Sequence, residues 1–182
     1  MHMPPTCIVS SATDPASINI RENLLELCSW EPLEHAFLSE KVLFCREINS
    51  LMITINSELI HAENLREISI EISRFLFISR HEAEAKIPSL LLHFTGNWTT
   101  ESKFGGSPRT LGISDPSLGK IIFNKLLDVS EEKKLENHIK ISLEATHHGP
   151  TNLHKPLIFV EIGSDISLWK NEKLGEIWAL TI

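Results

Sequence analysis

The chain has 182 residues, 42% of them hydrophobic, which suits one domain with a sizeable core. Lys plus Arg number 17 against 24 Asp plus Glu, a net charge of −7 that argues against general electrostatic binding of duplex DNA but leaves open recognition of one RNA end in a local pocket. No apolar run is long enough to span a membrane and no leader-like segment opens the chain; three widely spaced cysteines without a CxxC pair indicate neither a disulfide framework nor a thiolate zinc site, so a reduced cytoplasm is the expected compartment.

Thr6-Cys-Ile-Val-Ser-Ser11 reads as a buried strand ending in small polar residues. Asp14-Pro15 then supplies an N-cap followed by Pro at the first helical position, and Ile20, Leu24 and Leu27 recur at helical spacing until Trp30-Glu-Pro32. Val42-Leu-Phe-Cys45 and Leu51-Met-Ile-Thr-Ile55 read as two strands joined around Asn49-Ser50. Phe75-Leu-Phe-Ile78 delivers Ser79-Arg80-His81, and Leu90-Leu-Leu-His93 delivers Thr95-Gly96-Asn97. Residues 96–114 hold four glycines and form a long loop, of the kind that often carries function.

Asp115-Pro116 repeats the N-cap and Pro start, with Leu118, Ile122, Leu126 and Val129 on one helix face. Residues 139–145 alternate apolar and polar, as a half-buried strand does. Leu157-Ile-Phe-Val160 is a buried strand ending at Glu161-Ile-Gly-Ser164. One last helix, capped by Ser164 or Asp165 and weakened by Gly175, carries Ile166, Trp169, Leu174 and Trp178. This alternation predicts an α/β fold, a mixed sheet flanked by helices, in a single domain over residues 1–182.

Three polar clusters follow apolar strand runs: Ser79-Arg80-His81, His93-Phe-Thr95-Gly96-Asn97, and Glu144-Ala-Thr-His147-His148-Gly149-Pro150-Thr151. Ligands of α/β sheets bind at the carboxyl ends of strands, so the three are expected to converge on one cleft. A carboxylate, hydroxyls and adjacent imidazoles at one turn suit hydrolysis or metal binding. His147 and His148 point to opposite faces of an extended chain, so both reach one site only if the Gly149-Pro150 turn curls it. Glu144 is a candidate orienter of either imidazole, or a solvated strand residue. Arg80 could hold a phosphate or form a surface salt bridge. Asn97 could present its amide to a carbonyl, or simply occupy a turn. Gly105-Gly106 lacks the framing of a nucleotide-binding loop.

These clusters, with Ser11-Ala-Thr-Asp-Pro-Ala-Ser-Ile-Asn19 and Glu161-Ile-Gly-Ser164, resemble the archaeal and plant type of D-aminoacyl-tRNA deacylase in content and order. The resemblance implies hydrolysis of the ester joining a D-amino acid to the terminal ribose of tRNA. It implies a phosphorylase or peptidyl-tRNA-hydrolase-like fold, a Zn2+ requirement, a cytoplasmic location and a monomer that contacts the tRNA 3′ end, neither DNA nor membrane.

Carried onto this sequence, the catalytic candidates are His81, His93, Glu144, His147, His148 and Thr151. The substrate-binding candidates are Ser79, Arg80, Thr95, Gly96, Asn97, Gly149 and Pro150, and His147 and His148 are the candidate zinc ligands, with a further His or carboxylate from the clusters. Members of that family run on well past the Glu161 segment, so the chain reads as lacking the family's C-terminal part. Exposed apolar surface around the last helix, or an unpaired sheet edge, is then expected, and with it either self-association or activity weaker than that of full-length relatives. Two other classes compete: a silent fragment that binds a tRNA end or a partner chain, and another hydrolase or phosphorylase on the same fold.

Overall fold

Residues 157–164 form a strand buried along all eight positions, because it lies inside a sheet covered on both faces. The computed structural model describes residues 3–37 and 40–182. In chain order it runs through β1 (Thr6–Ser11), α1 (Pro15–Leu27), β2 (Glu31–Phe37), β3 (Glu40–Cys45) and β4 (Ser50–Ile55). Two 3-10 turns, Leu59–His61 and Glu63–Glu67, lead to β5 (Arg74–Glu82) and β6 (Ser89–His93). Then follow α2 (Pro116–Glu132), β7 (Lys140–Leu143), β8 (Leu157–Ser164), α3 (Ile166–Trp169) and α4 (Glu172–Thr181).

The strands make one mixed sheet in the order β2-β3-β4-β1-β5-β8-β6-β7. The run β4-β1-β5-β8 is parallel, whereas β3 lies antiparallel to β4, and β6 antiparallel to β8. Both expected N-caps form. Asp14 accepts hydrogen bonds from the N–H groups of Ala16 and Ser17, and Asp115 accepts one from Leu118.

Alternation along the strands sorts side chains onto two faces. Leu76, Ile78, Leu90, Leu92, Ile158, Val160 and Ile162 pack with the buried residues of α1, α2 and α4. Phe75, Phe77, Leu157 and Phe159 face the other way, onto Leu59, Ala62, Leu65 and Leu153 from the 3-10 turns and loops. The three long helices thus gather on one face and leave the second to irregular chain.

Three sequence expectations change. The strand β2 was not expected, since its sequence contains Pro32 and lacks a strict apolar–polar alternation; it sits at the sheet edge with a register shift between Pro32 and Ala36. The last helix is two helices, because Asp165 caps the first and Asn171 opens the second. The apolar face expected to be exposed there is mostly covered. Leu174 and Trp178 are fully buried against the helix face, and Gly175 lets α4 approach Asn19 where a Cβ would collide with its side chain. Ile166 stays exposed, and β7 does end the sheet with Leu143 exposed.

Candidate functional site

Glu161 sits midway along β8, on the face away from the helices, and only 3% of it is exposed. In register, Ser79 of β5 flanks it on one side and Leu91 of β6 on the other. One oxygen lies 3.4 Å from His81 Nδ1 and the other 3.7 Å from His93 Nε2. A buried carboxylate is therefore shared by two imidazoles from two neighbouring strands. Burial would push its carboxyl up, but the His81 and His93 rings beside it and the charge on His93 hold it far below the usual carboxylate range.

The direction of β6 changes how the clusters meet. It runs antiparallel to β8, so its carboxyl end lies away from that of β5: His81 is level with Gly163, His93 with Phe159. The site is therefore built across the face of the sheet, with Glu161 in between, and not at one row of strand ends as the crevice rule suggests.

The segment after β7 runs beside the segment after β6. Glu144 N–H donates to Leu92 O, His147 N–H to Phe94 O, and Gly96 N–H to His148 O. This brings Glu144 Oε2 to 3.6 Å from His81 Nδ1 and 4.0 Å from His147 Nε2. The curl that the adjacent histidines require occurs at His148 itself, whose φ is 46°, in the left-handed region. Both rings then stack beside His93, with centroids 4.1 Å and 4.7 Å away.

His93, His147 and His148 each place Nδ1 on a backbone carbonyl, of Phe94, Ala145 and Gly149 respectively, at 3.0, 2.7 and 2.7 Å. A neutral ring that donates from Nδ1 presents a lone pair at Nε2. That is the second shell a metal-binding imidazole needs. One ring nitrogen from each of the three lies within 4.8 Å of the others, and buried His93 Nε2 has no hydrogen-bond partner. The donor set therefore fits a zinc ion, with His93 added to the pair expected from the sequence. A second group, His81, Glu144 and Glu161, is equally compact.

The imidazoles differ in basicity. Hydrogen bonding to Glu161 outweighs burial and raises His81. Burial opposes the charge on His93, but its pairing with Glu161 prevails and raises it too. Burial and the neighbouring His93 lower His147, and bring His148 down to about 3.

A cleft of about 670 Å³ opens over this group, lined by Asp14, Arg80, His81, Phe104, His147 and His148 among others. His93, fully buried, is not among the residues that line it. Asp14 caps α1 with one oxygen and receives Ser79 Oγ–H and Arg80 N–H with the other. Arg80 contacts Glu58 at 3.1 Å and Glu82 at 3.7 Å, so its guanidinium is already partnered by carboxylates.

The other candidates stand behind the cleft. Asn97 donates to the carbonyls of Gly105 and Ser107, Thr151 Oγ1 accepts from Ser107 N–H, and the backbone N–H of Thr151 donates to Glu63. These bonds fix the glycine loop, so Asn97 and Thr151 position a wall and do not touch the cleft. Thr95 is buried against Gly112, and Gly96 against Leu111 and Thr146. Gly149 fits where any Cβ would strike the backbone of Gly105 and Gly106, and the Gly149–Pro150 peptide is cis.

Two residues of the site escaped the sequence reading of roles. Glu161 stood in a noted motif but reads there as a strand end; Asp14 reads fully as a helix cap. A lone acid directly after the apolar run Leu157–Val160 was the available signal for Glu161, since a buried carboxylate requires partners.

A sequence model of the D-aminoacyl-tRNA deacylase family matches residues 68–182. The chain belongs to the D-aminoacyl-tRNA deacylase family. It is 34% identical over 180 residues to the D-aminoacyl-tRNA deacylase of Thermococcus onnurineus, and 35% identical over 181 residues to that of Methanosarcina mazei. Each alignment covers 96% of this chain but 63% and 60% of the relative, so the chain spans about three-fifths of the curated relatives it matches. A solved structure of a conserved protein of unknown function superposes with a TM-score of 0.84 at 28% identity, over all of this chain and 62% of that one. The futalosine hydrolase of Helicobacter pylori superposes at a TM-score of 0.58 with 14% identity, over 99% of this chain and 96% of that one, which shows a shared nucleosidase-like fold alone. No helix among the described residues is long and apolar enough to cross a membrane.

Proposed function

We propose that this chain hydrolyses the ester between a D-amino acid and the terminal ribose of tRNA, with zinc held by His93, His147 and His148. The observation that carries the reading is the pair of oppositely tuned groups on one cleft: His81, whose proton Glu161 retains, beside imidazoles kept neutral by burial. Ester hydrolysis needs both an acid and a base, and groups pushed apart in pKa supply them.

His81 turns Nδ1 towards Glu161 and Glu144, which leaves Nε2 to give a proton to the departing ribose oxygen. Glu161 holds that ring in orientation and stabilises its charged form. A zinc ion on the three imidazoles would supply Lewis acidity for activating water near neutral pH. Loading it requires His93 Nε2, which faces Glu161 at 3.7 Å, to be free of a proton, so metal binding releases protons. Phe104, 67% exposed on the cleft, offers an aromatic face to the terminal base. Chirality is enforced by excluding one side-chain direction against the wall that Gly149 and the glycine loop lock in place.

Elemental analysis of the purified protein, with and without chelator, tests the zinc assignment. Zinc should be present, be removed together with activity, and restore it on return. His147→Ala should lower both zinc content and turnover. Full activity in protein free of metal would overturn it.

A further inference from the structure

Cys28 and Cys45 form no sequence motif, yet the fold brings them together. Cys28 follows the last turn of α1, Cys45 ends β3, and Glu47 lies in the turn to β4. The two sulfurs and one Glu47 oxygen all lie within 4.8 Å of one another. Glu47 Oε2 is fixed in place: Ser29 N–H donates to it at 2.9 Å and the Cys45 thiol at 3.3 Å. Cys45 is buried, Cys28 half-buried and Glu47 exposed, so the group is walled on one side and open to solvent on the other.

The docking of the end of α1 against the β3–β4 turn thus brings two sulfurs and a carboxylate together. Two thiols and a carboxylate are a donor set for zinc-like cations, and three protein ligands leave a fourth position for water. The place is remote from the histidines. Asp14, which lines the cleft, caps the N-terminus of α1, and Cys28 lies beyond its C-terminus, about 20 Å away at 1.5 Å per residue.

We propose that Cys28, Cys45 and Glu47 form a second metal site, selective for a thiophilic divalent cation such as Zn2+. As one cation enters, its bonds to the two sulfurs replace two S–H bonds, and two protons leave to solvent. The ion ties the end of α1 to the β3–β4 turn and takes no part in ester hydrolysis, so the assignment stands apart from the proposed activity.

Co2+ is the probe, added to the full chain kept reduced with a phosphine. A thiolate-to-cobalt charge-transfer band should appear in the near ultraviolet and be displaced by Zn2+. It should vanish in Cys28→Ser and in Cys45→Ser, both of which retain buried Cys7, and persist in His147→Ala, whose imidazole gives no such band. Glu47→Gln should weaken Zn2+ binding at least ~10-fold. A second measurement needs no variant: saturating Zn2+ should protect Cys28 of the unaltered chain from alkylation. Absence of the band, its survival in both serine variants, or unprotected Cys28 would each overturn the site.

Discussion

The two faces of the sheet are made from the same strands but do different work. On β5, β6 and β8, Leu76, Ile78, Leu90, Leu92, Val160 and Ile162 meet helices; Ser79, His81, His93 and Glu161 alternate with them onto the other face, where His81 and His93 flank Glu161. The helical face is a dry apolar contact that fixes where the strands lie. The loop face uses that rigidity to hold a carboxylate and imidazoles at set distances. A site set on strand residues, and not on loop tips alone, is the arrangement that keeps catalytic groups in register.

Glu161 carries the charge on which the loop face depends. Glu161→Gln removes the charge shared by His81 and His93 while keeping the side chain's size. Stability at neutral pH should fall by about 3 kcal/mol, since one partner of a buried ionic network is lost, and turnover should fall by ~10²–10⁴-fold as the acid group loses its proton. Urea unfolding and single-turnover deacylation measure the two; little change in both would mean that the carboxylate is incidental.

The helical face should show the opposite pattern. Leu126→Ala in α2 empties a fully buried position and should cost about 2–5 kcal/mol. Turnover per folded molecule should stay near that of the unaltered chain. A large loss of turnover without a loss of stability would show that the two faces are not separable.

The smallest effect is a pH dependence. His148 has a folded pKa of about 3 against 6.5 for an ordinary imidazole. Below pH 6.5 the unfolded chain takes up a proton that the folded chain refuses, so this group's contribution to stability falls as pH falls. In chelator-treated protein, the stability difference between the unaltered chain and His148→Gln should shrink by up to ~1.4 kcal/mol per pH unit below 6.5. The raised pKa of His81 acts in the other sense, adding stability at low pH that is lost as pH rises, and it cancels in the difference. Parallel pH profiles would contradict the burial argument.

The sequence makes the helical face easy to read, because apolar spacing and the Asp-Pro caps are local signals. The site is legible in content and only partly in placement. Its three clusters stand out, and Glu144, His81, His93, His147 and His148 do come together. The antiparallel insertion of β6 between β8 and β7 is a tertiary choice that no local pattern encodes, so His93 is reached across the sheet and not along an edge. Asn97 and Thr151 carry functional-looking side chains, but loops with exposed carbonyls and amides need internal partners, and these two provide them. Cys28 and Cys45 are invisible as a pair for the same reason as β6: their meeting depends on how α1 docks.

The most direct test of the central claim is the rate of deacylation of one tRNA charged in turn with the D- and L-forms of the same amino acid, with the unaltered chain and with His81→Ala. Rapid release of the D-amino acid, little action on the L-form, and a loss of ~10²-fold or more on the D-form in His81→Ala are expected. Equal rates on the two enantiomers, or an unchanged rate in His81→Ala, would contradict that claim.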